Sequence, residues 1–113
     1  MASGAGRLRV EMHVELFNGC VVGDDWSTFA RAFAEDARMT FSGAPAGHYK
    51  GRAEIEAAYR SDPPVDTLRV VEVRTEDDVD VVDVAWSRGG PGTMRLGWST
   101  SGLVQRLDIV LDR

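Results

Sequence analysis

The chain has 113 residues, of which 43% are hydrophobic and 27% are charged, and its formal net charge is -5. This length suits one domain with its own core, and the composition is typical of a soluble globular protein. One lysine and twelve dispersed arginines argue against a nucleic-acid-binding surface. One cysteine excludes an internal disulfide, and no apolar run is long enough to span a membrane.

The chain begins with a predicted amphipathic helix. Residues 1–6 are small, and we expect them to fray. From Leu8 to Phe17 apolar residues recur at helical spacing in two neighbouring stripes, which together predict a broad buried face. Asn18-Gly19 is typical of a helix end, because glycine tolerates the left-handed conformation found there. The two stripes are Val10, Val14 and Phe17, and Leu8, Met12 and Leu16.

A second helix is predicted after the turn at Gly23-Asp24-Asp25. Trp26, Phe29 and Phe33 have the spacing of a single aromatic ridge on one helix face. We expect this helix to end at Asp36.

A strand, a loop and a third helix follow. Alternating apolar and polar residues over Arg38–Ser42 predict a short strand, and the glycines of Gly43–Gly51 predict a loop. The stretch Arg52–Arg60 predicts a helix, which Pro63-Pro64 stops.

The second half of the chain predicts a β-sheet. Four β-rich runs are separated by hairpin-length turns, so sequential antiparallel pairing is the simplest topology. Helices followed by an antiparallel sheet indicate an α+β fold. The runs are Thr67–Thr75, Val79–Arg88, Thr93–Ser99 and Leu103–Leu111.

Five stretches of the sequence resemble the NTF2-like superfamily, in the branch of ketosteroid isomerase and the SnoaL-like polyketide cyclases. The resemblance covers residues 8–111 and is carried mostly by caps, turns and core positions, so it is specific for fold rather than for activity. The stretches are Glu15-Leu16-Phe17-Asn18, Gly23-Asp24-Asp25-Trp26, Phe33 to Phe41, Tyr49 to Ile55, and Gly102 to Leu107.

The resemblance implies a single domain, residues 1–113, built as a curved antiparallel sheet. The sheet would form a cone, the cystatin-like or NTF2-like α+β barrel, closed by three helices. The open end of the cone would be an apolar pocket for a small molecule. Family members often dimerise through the outer face of the sheet, so a homodimer is expected. The location expected by default is cytoplasmic.

His13 and Tyr59 are the candidate catalytic residues. Apolar helix neighbours place His13 on the inward side, and the resemblance lays it on the oxyanion-binding tyrosine of ketosteroid isomerase. Tyr59 falls on a family tyrosine that can hydrogen-bond to that donor. The pair could stabilise a developing oxyanion, and imidazole can also move a proton near neutral pH. The alternative is a core histidine satisfied by one hydrogen bond.

The carboxylates of ketosteroid isomerase have no counterpart here. The family's catalytic base falls near Phe41 and its second acid near Met94, so true ketosteroid isomerase activity is not expected. Asp83 and Asp108 lie in β-runs where alternation directs them outward. The predicted pocket wall is Phe17, Phe33, Met39, Phe41, Trp86, Met94, Leu96, Leu107 and Ile109.

Three interpretations remain open. The chain is a cofactor-independent enzyme that performs proton transfer (isomerisation, cyclisation or dehydration) on an apolar, polyketide- or steroid-like molecule. Alternatively, it binds such a molecule without catalysis, or it is a dimeric interaction protein with a filled pocket. No cofactor, metal, nucleic acid or membrane partner is predicted, because no nucleotide loop, nucleophile elbow or metal motif is present.

Overall fold

The computed structural model describes residues 4–42 and 47–111 as a mixed α+β fold. Within this part of the chain, six strands form one curved sheet that does not close. The elements are α1 (Gly4–Gly23), α2 (Trp26–Ala30), β1 (Phe33–Phe41), β2 (Gly47–Lys50), α3 (Arg52–Ser61), β3 (Leu68–Glu76), β4 (Val79–Trp86), β5 (Pro91–Trp98) and β6 (Val104–Leu111).

The predicted antiparallel meander is confirmed. The strand order is β2-β1-β6-β5-β4-β3, and β3 to β6 pair in sequence. Asp77 and Asp78 make the β3–β4 turn with φ of 50° and 66°, the left-handed pair of a two-residue hairpin. In contrast, β1 pairs with β6 in parallel. The long connection between these two strands allows this arrangement.

The helices cover the concave side of the sheet. α1 packs against β3 and β4, and α3 packs against β1, β2 and α2. Because side chains alternate along each strand, one set faces the helices and forms the core. This buried set from the sheet includes Met39, Val82, Val84, Met94, Leu96, Leu107 and Ile109.

The prediction that the first helix ends at Asn18-Gly19 is wrong, because α1 continues to Gly23. The Asn18 side-chain amide donates to the Leu68 carbonyl at 2.8 Å and accepts from the Leu68 N–H at 2.9 Å. Asn18 therefore joins α1 to β3 from within the helix. Gly4 to Gly6, which were expected to fray, form the first turn of α1, and residues 1–3 lie outside the described part.

The predicted broad buried face of α1 is half right. Val10, Val14 and Phe17 are buried, but Leu8 and Met12 are 59% and 61% exposed. The concave sheet accepts one side of the helix, so Leu8 and Met12 of the second stripe face outward, while Leu16 is partly buried against the core.

The second predicted helix is too long. α2 ends at Ala30, and Phe33 already belongs to β1, where it pairs with Val104. All three ridge aromatics are buried, because a short helix followed by a strand satisfies the same spacing. Asp36 is consequently an exposed strand residue that accepts from Gln105. Residues 47–50 of the predicted loop form β2, while residues 43–46 lie outside the described part.

A buried carboxylate joins α1 to the sheet. Asp80 has no solvent exposure. Its Oδ2 accepts from Arg9 Nε at 2.7 Å and from Trp98 Nε1 at 2.8 Å, and its Oδ1 accepts from Thr75 Oγ1 at 2.8 Å. Burial alone raises the pKa of Asp80, but these three hydrogen bonds together lower it. We call Asp80, Arg9, Thr75 and Trp98 the Asp80 network.

Replacing Asp80 should show how much this network stabilises the fold. We expect Asp80→Asn to lower the free energy of unfolding by about 3 kcal/mol, because the carboxylate is lost from a buried, fully hydrogen-bonded position. Asp78→Asn, at an exposed position of the same hairpin, should change it by less than about 0.5 kcal/mol. Denaturant unfolding measures both, and equal effects would contradict a structural role for Asp80.

Candidate ligand-binding site

His13 lies on the inner face of α1, surrounded by aromatic rings. Its ring centroid is 5.5 Å from that of Phe29, 5.9 Å from that of Phe33 and 6.4 Å from that of Trp98. Burial lowers the pKa of His13 from 6.5 to about 4, so the imidazole is neutral at neutral pH. Its Nδ1 is buried and has no hydrogen-bond partner among the described residues.

Tyr59 lies on the inner face of α3. Its ring stacks on Trp26 with centroids 4.9 Å apart and meets Phe29 edge-on at 5.0 Å. Burial, and then the neighbouring Tyr49, raises the pKa of Tyr59. The hydroxyl therefore stays protonated and can act as a neutral hydrogen-bond donor.

A small inner void brings the two predicted catalytic residues to one place. It has a volume of about 20 Å³, enough for one water-sized group. No hydrogen bond joins His13 to Tyr59 in the structure. The void is lined by His13, Val14, Phe17, Phe29, Tyr59, Leu68, Trp86, Met94, Leu107 and Ile109.

A larger outer cavity opens next to this void. Its volume is about 500 Å³, and most of its lining is apolar. Phe17, Tyr59, Trp86 and Ile109 line both spaces, so they separate the outer cavity from the inner void. The remaining lining residues are Met39, Phe41, Tyr49, Ala58, Asp62, Pro63, Pro64, Val65, Asp66 and Gly89.

The predicted pocket wall divides into four groups. Met39 and Phe41 line the outer cavity, and Met94 and Leu107 line the inner void. Phe17, Trp86 and Ile109 line both. Phe33 and Leu96 line neither, because both are fully buried in the core.

The sheet carboxylates that we expected to face outward do so. Asp83 pairs with Arg74 at 3.2 Å, and Asp108 accepts from Arg106 at 2.9 Å and from Thr40. The carboxylates that line the outer cavity are Asp62 and Asp66 instead.

Sequence reasoning missed the segment that follows α3. Asp62, Pro63, Pro64, Val65 and Asp66 form one side of the outer cavity, and Asp66 accepts from Ser87 and from the Arg88 N–H. The double proline marked a helix stop, but no local pattern indicated what this segment would cover. Asp80 was also missed, although it lies on the same inward-facing side of β4 as Val82, Val84 and Trp86.

The inner void is lined by neutral polar groups, those of His13, Tyr59 and Trp86. The outer cavity has two carboxylates, Asp62 and Asp66, on one side. Trp86 Nε1 is, like His13 Nδ1, buried without a partner in the described part of the chain. In residues 4–42 and 47–111, no three His, Cys, Asp or Glu side chains are grouped to hold a metal ion. No described helix is long and apolar enough to cross a membrane.

Comparison with solved structures shows the same architecture in proteins of low sequence identity. An NTF2-like protein of unknown function from Burkholderia xenovorans matches with a TM-score of 0.69 at 13% identity, over 96% of this chain and 87% of that one. A candidate ketosteroid isomerase from Kribbella flavida matches with a TM-score of 0.68 at 21% identity, over 93% and 78%. An epoxide hydrolase/cyclase-like enzyme with a role in pyran ring formation in polyether salinomycin matches with a TM-score of 0.73 at 13% identity, over 96% and 91%.

The chain has the NTF2-like fold. The expected α+β architecture, a curved sheet covered by three helices, is thereby confirmed, although the sheet does not close into a barrel. No family model and no curated protein matches the sequence. At these identities the likeness defines the NTF2-like fold and not an activity.

The buried imidazole should make stability depend on pH. Between pH 6.5 and about 4 the unfolded chain binds a proton at His13 that the folded chain does not, so stability falls as the pH is lowered through this window. The expected loss is about 3 kcal/mol. In His13→Gln this part of the slope should disappear, whereas His48→Gln, at an exposed position, should retain it. Urea unfolding at several pH values measures the difference, and identical slopes in wild type and His13→Gln would contradict it.

Proposed function

We propose that this chain binds an apolar small molecule in the outer cavity. The observation that carries the proposal is the cavity itself, since about 500 Å³ of mostly apolar space lies within the range of small-molecule sites. The cavity also argues against a pocket filled by side chains. The structural likeness to a candidate ketosteroid isomerase and to an epoxide hydrolase/cyclase-like enzyme is in keeping with such a ligand.

The lining specifies the chemistry of the ligand. Phe17, Phe41 and Trp86 offer ring faces and edges to a flat apolar body, such as a steroid or an aromatic polyketide. Tyr59 lines both the outer cavity and the inner void. A ligand oxygen placed there would find a neutral donor in an apolar environment, where a hydrogen bond is strong.

The second candidate function is proton-transfer catalysis by the same site. It is favoured by one observation: neutral His13 and protonated Tyr59 line a single void, and His13 Nδ1 has no partner in the described part of the chain. Two preorganised neutral donors can stabilise an enolate or alkoxide as its charge develops. Isomerisation, cyclisation or dehydration of an apolar carbonyl compound would use this oxyanion stabilisation without a cofactor. The isomerase mechanism itself is not proposed, since Phe41 and Met94 cannot exchange protons.

Ligand binding is tested by filling the cavity. Ala58 and Ala57 are neighbours on α3, but only Ala58 lines the outer cavity, while Ala57 is exposed. At a ligand concentration of about 100 times Kd, a steroid or aromatic polyketide should raise the free energy of unfolding of the wild type by about 2.7 kcal/mol and its Tm by roughly 10 °C. Ala58→Trp should abolish this shift, and Ala57→Trp should keep it. The same shift in both variants would place the ligand elsewhere.

Catalysis is tested by removing each donor. Tyr59→Phe and His13→Gln should each lower kcat on a converted substrate by about 100-fold, because each removes one oxyanion donor. Ligand affinity should change little. Tyr49→Phe is the matched control, since Tyr49 lines the outer cavity but not the inner void, and its kcat should stay near the wild-type value. If both donor variants turn over normally, His13 and Tyr59 are not the catalytic groups.

A further inference from the structure

Four side chains form a partition between the outer cavity and the inner void: Phe17, Tyr59, Trp86 and Ile109. Three of them are buried, whereas Trp86 is only partly buried. We propose that the Trp86 indole is the specificity-determining member of this partition. It limits how deep a ligand enters, and it thereby decides whether a ligand oxygen reaches His13. This role rests on the proposed binding of an apolar molecule in the outer cavity.

The Trp86 ring is held by few contacts. In the described part of the chain its one aromatic contact is with Phe17, edge-on, with ring centroids 6.4 Å apart. Its Nε1 is buried and has no hydrogen-bond partner among the described residues. Phe17, in contrast, contacts three further rings, those of Trp26, Phe29 and Tyr59. Of the aromatic side chains in the partition, Trp86 is therefore the one that its neighbours hold least.

Gly92 on β5 leaves the space in which the indole lies. It is buried and pairs with Val84, two residues before Trp86 on the neighbouring strand. A Cβ built on Gly92 would lie 3.1 Å from Trp86 Nε1 and 3.3 Å from the Val110 carbonyl oxygen, which is tighter than ordinary van der Waals contact. The edge of the indole thus rests against the β5 main chain, at a position where any side chain would displace it.

The partition keeps a ligand in the outer cavity away from His13. Tyr59 lines both spaces, whereas His13 lines the inner void only, and its Nδ1 has no hydrogen-bond partner in the described part of the chain. With the indole removed, the void of about 20 Å³ would become the deep end of the cavity of about 500 Å³. A ligand hydroxyl could then pair with Nδ1 in either tautomer of the imidazole, because a hydroxyl both donates and accepts.

The main chain that carries the indole is fixed by the turn between β4 and β5. The Trp86 N–H donates to the Gly90 carbonyl at 3.0 Å, and the Trp86 carbonyl accepts from the Gly89 N–H at 2.8 Å. Because the main chain is held in this way, the ring moves by rotation about its side-chain torsions. Proton transfer by His13, which lies behind the partition, would require such a rotation.

The coupling between Trp86 and His13 is measured with anthrol, a flat aromatic compound of three rings with one hydroxyl, as the probe. In Trp86→Ala, adding His13→Leu should raise the Kd of anthrol about tenfold, because a hydrogen bond to the ligand hydroxyl is lost. In the wild type the same change should raise Kd less than about twofold, since the ligand does not reach the imidazole. Isothermal titration calorimetry measures each Kd.

Phe41→Ala is the matched control for Trp86→Ala. Phe41 is also a partly buried aromatic residue, but it lines the outer cavity alone. Its removal enlarges the outer cavity and leaves the partition in place. Adding His13→Leu to Phe41→Ala should therefore again raise Kd less than about twofold.

Gly92→Ala tests the position of the indole in a chain that keeps Trp86. The added Cβ should push the indole away from the sheet and into the space that the ligand uses, so the Kd of anthrol should rise about threefold. The same change in Trp86→Ala should have no effect, because the indole is absent. Gly97→Ala on the same strand is the matched control and should leave Kd unchanged, since its Cβ would meet Arg106 at an ordinary distance of 3.5 Å.

The outcomes separate the role of Trp86 from the proposed function. An equal effect of His13→Leu in the wild type and in Trp86→Ala would overturn the role of Trp86 while leaving binding in the outer cavity intact. Absence of anthrol binding to the wild type and to every variant would contradict the proposed function together with this role. If Trp86→Ala does not fold, an unchanged Kd in Gly92→Ala overturns the role by itself.

Discussion

The structure depends on one buried carboxylate. Asp80 faces the inner side of the sheet without any solvent exposure, where an unpaired charge would be too costly to bury. Its donors come from α1, β3 and β5, in the form of Arg9, Thr75 and Trp98. The Arg9 guanidinium also lies 5.0 Å over the Trp98 ring. The Asp80 network therefore fixes the position of α1 across the concave sheet.

The position of α1 in turn shapes the site. One side of the helix places His13 and Phe17 on the concave side of the sheet, where they contact Phe29 from α2 and, through Phe29, Tyr59 from α3. Tight aromatic packing leaves only the inner void at the deep end, while the segment after α3 bounds the outer cavity. The carboxylate on the inner side is already satisfied by its three donors, so the chemistry available in the void is that of neutral donors. On the opposite side of the same helix, Leu8 and Met12 are exposed.

The site was predictable from the sequence where alternation along a strand decides which way a residue faces. Met39, Trp86 and Ile109 line the cavities because their strands alternate regularly. The residues that limit the cavity were not predictable in this way. Phe33 and Leu96 share that apolar pattern, yet neighbouring elements pack on them and keep them out of both cavities. The pattern of a single segment does not show which other segments pack against it.

The sequence by itself determined the helix that ends before Pro63-Pro64 and the antiparallel meander with its short turns, since each follows from the conformational preferences of neighbouring residues. Only the tertiary structure decided that α1 continues past Asn18-Gly19, because the bonds that satisfy Asn18 come from Leu68, fifty positions further along the chain. It likewise decided that Asp80 is buried, since the main partner of that carboxylate lies on the first helix. Long-range hydrogen bonds outweigh local preference, and they become visible only when the chain is folded.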